Sequence, residues 1–193
     1  RDLVFLMVDM DFFKEVNDLH GHPAGDRLLQ LVAERLGRVV RKSDVLVRWG
    51  GEEFLIMSRS ADPSGIPAFC DRILEVVASE AFDLGHGVQV RKTCSVGWAP
   101  FPWSRRAYEA ICAEETIELA DAALYRAKAA GRNQGIGILP AEGALATPEK
   151  ITLQALQNDT GVLTLTVAVQ NPGCNGIHHA PAKGMTPAEP TAQ

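Results

Sequence analysis

Four cysteines in 193 residues, with no C-x-x-C pair, leave neither a disulfide frame nor a zinc site to build on. Cys70, Cys94 and Cys112 fall in apolar segments and Cys174 near the C-terminus, which points to reduced thiols and a cytoplasmic setting. Positive charge is also scarce: 19 Lys and Arg against 24 Asp and Glu give a net charge of −5. That excludes a general nucleic-acid surface, and any anionic ligand must be met by locally placed cations. No run approaches the roughly 18 apolar residues of a membrane span, so no membrane contact is expected. The chain has neither an initiator Met nor a signal-peptide pattern, and opens with Arg1 directly before a strand, as an excised domain would. What it does have is 46% hydrophobic residues, enough for one sizeable core.

Leu3 to Val8 is a continuous apolar run, the pattern of a central strand covered on both faces. It delivers Asp9 and Asp11 to the rim of a sheet. Residues 12–22 read as a polar loop or short turn. Pro23 suits the first turn of a helix, and Leu28, Leu29, Val32, Leu36, Val39 and Val40 then recur at helical spacing. Val45-Leu46-Val47 and Phe54-Leu55-Ile56-Met57 predict two strands joined at Gly50-Gly51, a hairpin signal that leaves Glu52 and Glu53 at the rim. Asp62-Pro63-Ser64-Gly65 breaks the chain before a second amphipathic helix marked by Ile66, Phe69, Ile73, Val76 and Val77. Val88, Val90, Cys94, Val96 and Trp98 share one face of a single further strand if it is unbroken, and Pro100 and Pro102 end it. A short helix around Arg105–Ala113 and a longer one through Ile117, Ala120, Leu124 and Ala127 follow, with Gly131 just past its C-terminus and a short strand over Gly135–Leu139.

The expected order is βαββαβ followed by a helix, an α+β fold of ferredoxin-like or palm-like type, with a mixed sheet and helices packed on it. Residues 1–139 form the domain. From Pro140 the chain is rich in Ala, Pro, Thr and Gln, and residues 140–193 are expected to be an irregular, poorly ordered tail. A strand over Val162–Val169 is conceivable there but has no evident partner.

Several residues carry chemistry. Asp9 at a strand end and Glu52 in a neighbouring turn, with backbone carbonyls, make an oxygen-only site suited to Mg2+ or Mn2+; Glu53 and Asp11 are further candidates. Asp-x-Asp can equally be a polar strand stop. Lys128 and Arg132 complement a helix dipole, and also suit the outer phosphates of a triphosphate. Asn17 and Asp26 together offer the amide and carboxylate that a guanine edge requires, although Asp26 is also a favourable charge in a first helical turn. Arg41 and Asp44 end the first long helix six residues before Gly50.

Together these pieces resemble the diguanylate cyclase, or GGDEF, family. The resemblance rests on Gly50-Gly51-Glu52-Glu53-Phe54 (the glutamate form of the signature), Asp9-Met10-Asp11-Phe12-Phe13-Lys14, Asn17-Asp18 with Gly21-His22, Gly25-Asp26, and Ala120 to Asn133. It implies condensation of two GTP into cyclic di-GMP with release of two pyrophosphates, by a homodimer whose two GTP sites face each other. It further implies that Asp9, Glu52 and Glu53 are catalytic and hold the metal with the Met10 carbonyl, Glu52 being the candidate acceptor of the hydroxyl proton. Asn17 and Asp26 would read guanine. The amides of Phe12 and Phe13, with Lys14, Lys128 and Arg132, would hold phosphates. Arg41 and Asp44 match the family's RxxD product-inhibition site, and Arg72 stands where a second inhibitory arginine of that site is often found.

Two features depart from the family. The short helix with a D-x-L-T-G-L-x-N pattern that precedes the first strand is missing, and so is the N-terminal sensory or receiver domain expected in a parent protein. Two other readings stand beside cyclase activity. One is a catalytically silent module that senses GTP or cyclic di-GMP; the other is a different palm-like nucleotidyl transferase sharing the metal carboxylates.

Overall fold

The computed structural model of the protein describes residues 3–59, 65–102 and 111–140, and the backbone of 163–170. Strand β1 (Leu3–Met10) is buried along nearly its whole length and forms the middle of the sheet. Its side chains alternate between two cores, as the period of a strand requires. Val4, Leu6, Val8 and Met10 face one core; Phe5 and Met7 face the other. The first core is closed by α1 (Phe13–His20), α2 (His22–Val39) and α3 (Ile66–Ala78), and the second by α4 (Ala113–Ala129). Burying each large apolar side chain stabilises the fold by about 1.5–3 kcal/mol.

The hairpin strands β2 (Val45–Gly50) and β3 (Glu53–Ser58) lie on one side of β1, with β3 antiparallel to it. On the other side β6 (Cys94–Phe101) pairs antiparallel, and β7 (Gln134–Pro140) adds parallel to β6 through α4. The order β2-β3-β1-β6 is that of the ferredoxin-like βαββαβ unit, and the parallel pair makes the sheet mixed. Gly97 on β6 allows α4 to lie against it: a Cβ there would run into the backbone at Ala120 and Leu124. On the opposite layer Arg35 of α2 donates to the carbonyls of Val77 (2.8 Å), Glu80 (2.8 Å) and Ala81 (3.0 Å), capping α3. Its guanidinium also stacks 3.6 Å from the Phe82 ring centroid.

Several local expectations change. Residues 13–20 are helical rather than a loop, because Phe13 and Val16 bury one face at i, i+3 spacing while the polar residues occupy the other. The run from Val88 to Trp98 is two strands. Val88–Val90 is β5, paired with β4 (Phe82–Gly85) in a separate hairpin, and the chain re-enters the main sheet only at Cys94. Pro100 lies inside β6, opposite Val4. The β6–β7 register ends at Trp98 and Gly137, so a residue without an N–H is tolerated beyond it. In the hairpin the reversal is Gly51-Glu52, and only Gly51 of the glycine pair has a positive φ (41°). Leu163–Gln170 forms β8, antiparallel to β7, so the strand expected to lack a partner has one. The break at 62–64, most of the short helix expected over Arg105–Ala113 and the remainder of 140–193 lie outside the described residues; Ile111 and Cys112 are not helical, and Ala113 begins α4.

Candidate active site

Alternation along β1 places Asp9 on the α4 side, after Phe5 and Met7. There Lys128 of α4 reaches it, Nζ to Oδ2 2.7 Å. Glu53 stands opposite Asp9 in the β1–β3 register, and the Met10 N–H donates to the Glu52 carbonyl at 3.4 Å. The sheet thus gathers Asp9, Met10, Glu52, Glu53 and Lys128 at one end. Asp9 is 5% exposed. Its carboxyl is pushed up to about 6, first by burial and further by the charges of Glu52 and Glu53, against the pull of Lys128. Such a carboxylate gains from a cation, and Lys128 supplies one. Among the described residues no cluster of three or more His, Cys, Asp or Glu side chains could close round a metal. The donors do fit a hard ion of the kind that takes one or two carboxylates, a carbonyl and the rest from phosphate or water.

Asp11, a sequence candidate for metal binding, serves another purpose. Its carboxylate accepts from Thr93 Oγ1 (2.6 Å), Ser95 Oγ (2.8 Å) and the Asn133 N–H (3.1 Å). It ties the end of β1 to the start of β6 and to the α4–β7 turn, which presents Arg132. The intervening Phe12 is left-handed (φ 56°, ψ 36°) and more than half exposed, with the Arg132 guanidinium 4.7 Å from its ring centroid. α1 begins directly after it with no side-chain cap, so the first N–H groups of that helix, at Phe13 and Lys14, have no intrahelical acceptor. Lys14 is exposed and the Phe13 side chain is buried.

Asn17 lies on α1 against Gly25 of α2, so close that a Cβ on Gly25 would collide with its Oδ1. Asp26 is the next residue and lines a cleft of about 500 Å3 with Leu29, Gln30, Leu46, Arg48 and Phe54, a wall to which Asn17 does not contribute. Arg48, which none of the sequence motifs gives a role, brings a cation to that cleft and braces the hairpin by donating to the Gly51 carbonyl at 3.0 Å. A cleft of about 400 Å3 on the α4 side is lined by Glu53, Glu114, Glu118 and Asp121 with Met7, Trp49 and Ile117. Among the described residues its lining has four carboxylates and no basic side chain, which makes it a poor place for an anion.

Arg41 and Asp44 sit past the end of α2, away from these groups in the chain. Asp44 Oδ2 accepts from the Arg41 N–H (2.9 Å), and Oδ1 from Ser58 Oγ (3.3 Å) and the Arg59 N–H (3.2 Å). Its carboxylate therefore shapes the α2–β2 turn, while the Arg41 side chain is exposed. Arg72 is on α3, 5.2 Å from the Phe69 ring centroid. Among the described residues no hydrogen bond or ion pair joins it to Arg41 or Asp44.

The sequence pattern of the family described as "Diguanylate cyclase, GGDEF domain" matches residues 1–134. Diguanylate cyclase A of Treponema denticola is 36% identical over 132 residues, which cover 68% of this chain and 34% of that protein. The chain therefore spans about a third of that relative's length. Among solved structures, the GGDEF domain of DgcB from Caulobacter crescentus in complex with c-di-GMP superposes with a TM-score of 0.63 at 29% identity, covering 70% of this chain and 77% of that one. The active GGEEF domain of a diguanylate cyclase from Vibrio cholerae gives a TM-score of 0.61 at 25% identity, covering 70% and 81%.

Proposed function

The chain belongs to the GGDEF domain family of diguanylate cyclases, and on that footing we propose that it joins two GTP into cyclic di-GMP and releases two pyrophosphates. The observation that carries this reading is the meeting of Asp9, Glu52, Glu53 and Lys128 at the sheet end, beside uncapped helix amides and Arg132. Carboxylates for a cation and cations for a polyphosphate stand side by side there, which suits a metal-bound triphosphate better than either partner alone.

Asp9, the Met10 carbonyl, Glu52 and Glu53 would hold Mg2+ or Mn2+, which when bound neutralises charge on the α-phosphate and the departing pyrophosphate. Phe12 and Phe13 amides, Lys14, Lys128 and Arg132 hold the β- and γ-phosphates, and Asn17 with Asp26 reads the guanine edge beside the larger cleft. The 3′-hydroxyl of one GTP attacks the α-phosphorus of the other. A P–O bond forms, the bond to the bridging oxygen of the pyrophosphate breaks, and the hydroxyl proton passes to Glu52 directly or through water. A second, identical step closes the ring. Two sites must face each other, so the working unit is a homodimer, brought together in the parent protein by an N-terminal sensory or receiver domain. GTP as substrate places this work in the cytoplasm; among the described residues no helix is long and apolar enough to cross a membrane. Arg41, Asp44 and Arg72 form the product-inhibition site, with Arg41 as the recognising fork and Asp44 as the group that also sets its turn.

Glu52→Gln keeps the size of the side chain and removes the charge. Turnover of GTP should fall to background, while binding of 3′-deoxy-GTP, which cannot condense, stays measurable by calorimetry. Cyclase activity close to the parent's would sink the assignment of Glu52.

A further inference from the structure

The inference rests on the phosphate reading above and concerns a residue that no motif marks. Phe12 adopts a left-handed conformation disfavoured for any residue with a Cβ, and within the turn its carbonyl accepts from the Glu15 N–H at 3.2 Å. Lys92, from the segment leading into β6, adds a second donor from outside the turn: its Nζ donates to the Phe12 carbonyl at 3.0 Å across 80 positions of sequence. The same ammonium pairs with Glu15 at 3.0 Å and lies 5.9 Å from the Phe12 ring centroid. Its side chain is only 13% exposed, whereas that of Glu15 is 68% exposed. The neighbouring backbone is fixed from the same segment, the Asp11 N–H donating to the Thr93 carbonyl at 2.9 Å.

We propose that Lys92 is a positioning residue for the triphosphate: by holding the Phe12 carbonyl it aims the Phe13 N–H at the phosphates. In a trans peptide the carbonyl and the following N–H point in opposite directions. A carbonyl turned towards Lys92 therefore sends the Phe13 N–H away from it, to the uncapped start of α1. A cation near a helix N-terminus opposes the helix dipole, so helix stability does not account for Lys92 being there. The Glu15 pair offsets that repulsion, and an approaching polyphosphate reverses its sign.

A purely structural Lys92, serving only to pin α1 through Glu15, would disturb Asn17 on the same helix and weaken guanosine and triphosphate binding alike. The test is calorimetric titration of Lys92→Met, Lys92→Arg, Glu15→Gln and Lys14→Ala with 3′-deoxy-GTP and Mg2+, with guanosine titrated in parallel by NMR. Lys92→Met should lose about ten-fold in 3′-deoxy-GTP affinity, the scale of one charge-assisted hydrogen bond, with guanosine affinity unchanged. Lys92→Arg should recover most of that loss, and Glu15→Gln should cost no more than about two-fold, since the bond to the Phe12 carbonyl survives. Equal losses for both ligands in Lys92→Met would overturn the proposal. So would an unchanged 3′-deoxy-GTP affinity in Lys92→Met when Lys14→Ala is weakened, and the phosphate reading would then survive. If neither Lys92→Met nor Lys14→Ala weakens 3′-deoxy-GTP, both the phosphate reading and the inference fall.

Discussion

Asp9 holds a charge in a place that resists it. Burial raises its carboxyl from 3.8 to about 6, and Lys128 only partly offsets this. Between those values the folded protein keeps a proton that the unfolded chain has released, so in metal-free protein the Asp9 contribution to stability falls as pH rises through the window and levels off above it. Asp9→Asn does not titrate. The stability of the parent relative to Asp9→Asn should therefore worsen by on the order of 2 kcal/mol between about pH 4 and about pH 6, read by denaturant unfolding without divalent ions. A difference that stayed constant with pH would contradict the account of this carboxyl. Asp9 was legible in the sequence because it ends an apolar run, and Glu52 because it leaves a glycine turn. The opposite assignment of Asp11 was not legible, since its three donors come from residues 93, 95 and 133. Lys92 was invisible for the same reason: its partner is 80 residues away.

At the scale of elements, α2 and α4 were readable from their apolar spacing, and β1 from its unbroken hydrophobicity. α1 was not, because a helix with one short buried face resembles a polar loop. The β5–β6 break was also hidden: Val88 and Val90 are in phase with Cys94, Val96 and Trp98 across residues 91–93, which leave the sheet, and only Lys92 interrupts the alternation. Cys112 lies in an apolar stretch yet is exposed, and N-caps α4 in a capping box with Glu115. That helix carries Lys128 to Asp9, so its seat on β6 matters to the site. Gly97→Ala would push a methyl group into the Ala120 and Leu124 backbone, and should cost about 1–3 kcal/mol in denaturant unfolding while slowing turnover. Parental stability would mean that α4 is not held as closely as described. The end of α2 carries a separate prediction. Arg41→Ala should abolish tight cyclic di-GMP binding and relieve product inhibition while leaving the rate at low product near the parent's. Unchanged calorimetric affinity for cyclic di-GMP would reduce Arg41 and Asp44 to a helix terminus, a role the Asp44 hydrogen bonds already fill.

For the whole molecule, the strand order β2-β3-β1-β6 followed from the expected βαββαβ unit, while the pairing of β8 with β7 did not, since nothing in a lone apolar stretch names its partner. One chain carries one set of Asp9, Glu52, Asn17 and Arg132, and the proposed reaction consumes two GTP held on two chains. The rate should therefore depend on how often two copies meet. The measurement closest to the central claim follows the nucleotides formed from GTP and Mg2+ by chromatography and mass, over a dilution series of the protein. The account predicts cyclic di-GMP with two pyrophosphates for each, at a rate per subunit that falls on dilution. GTP left unconsumed at every concentration, or converted only to GDP and phosphate, would contradict it.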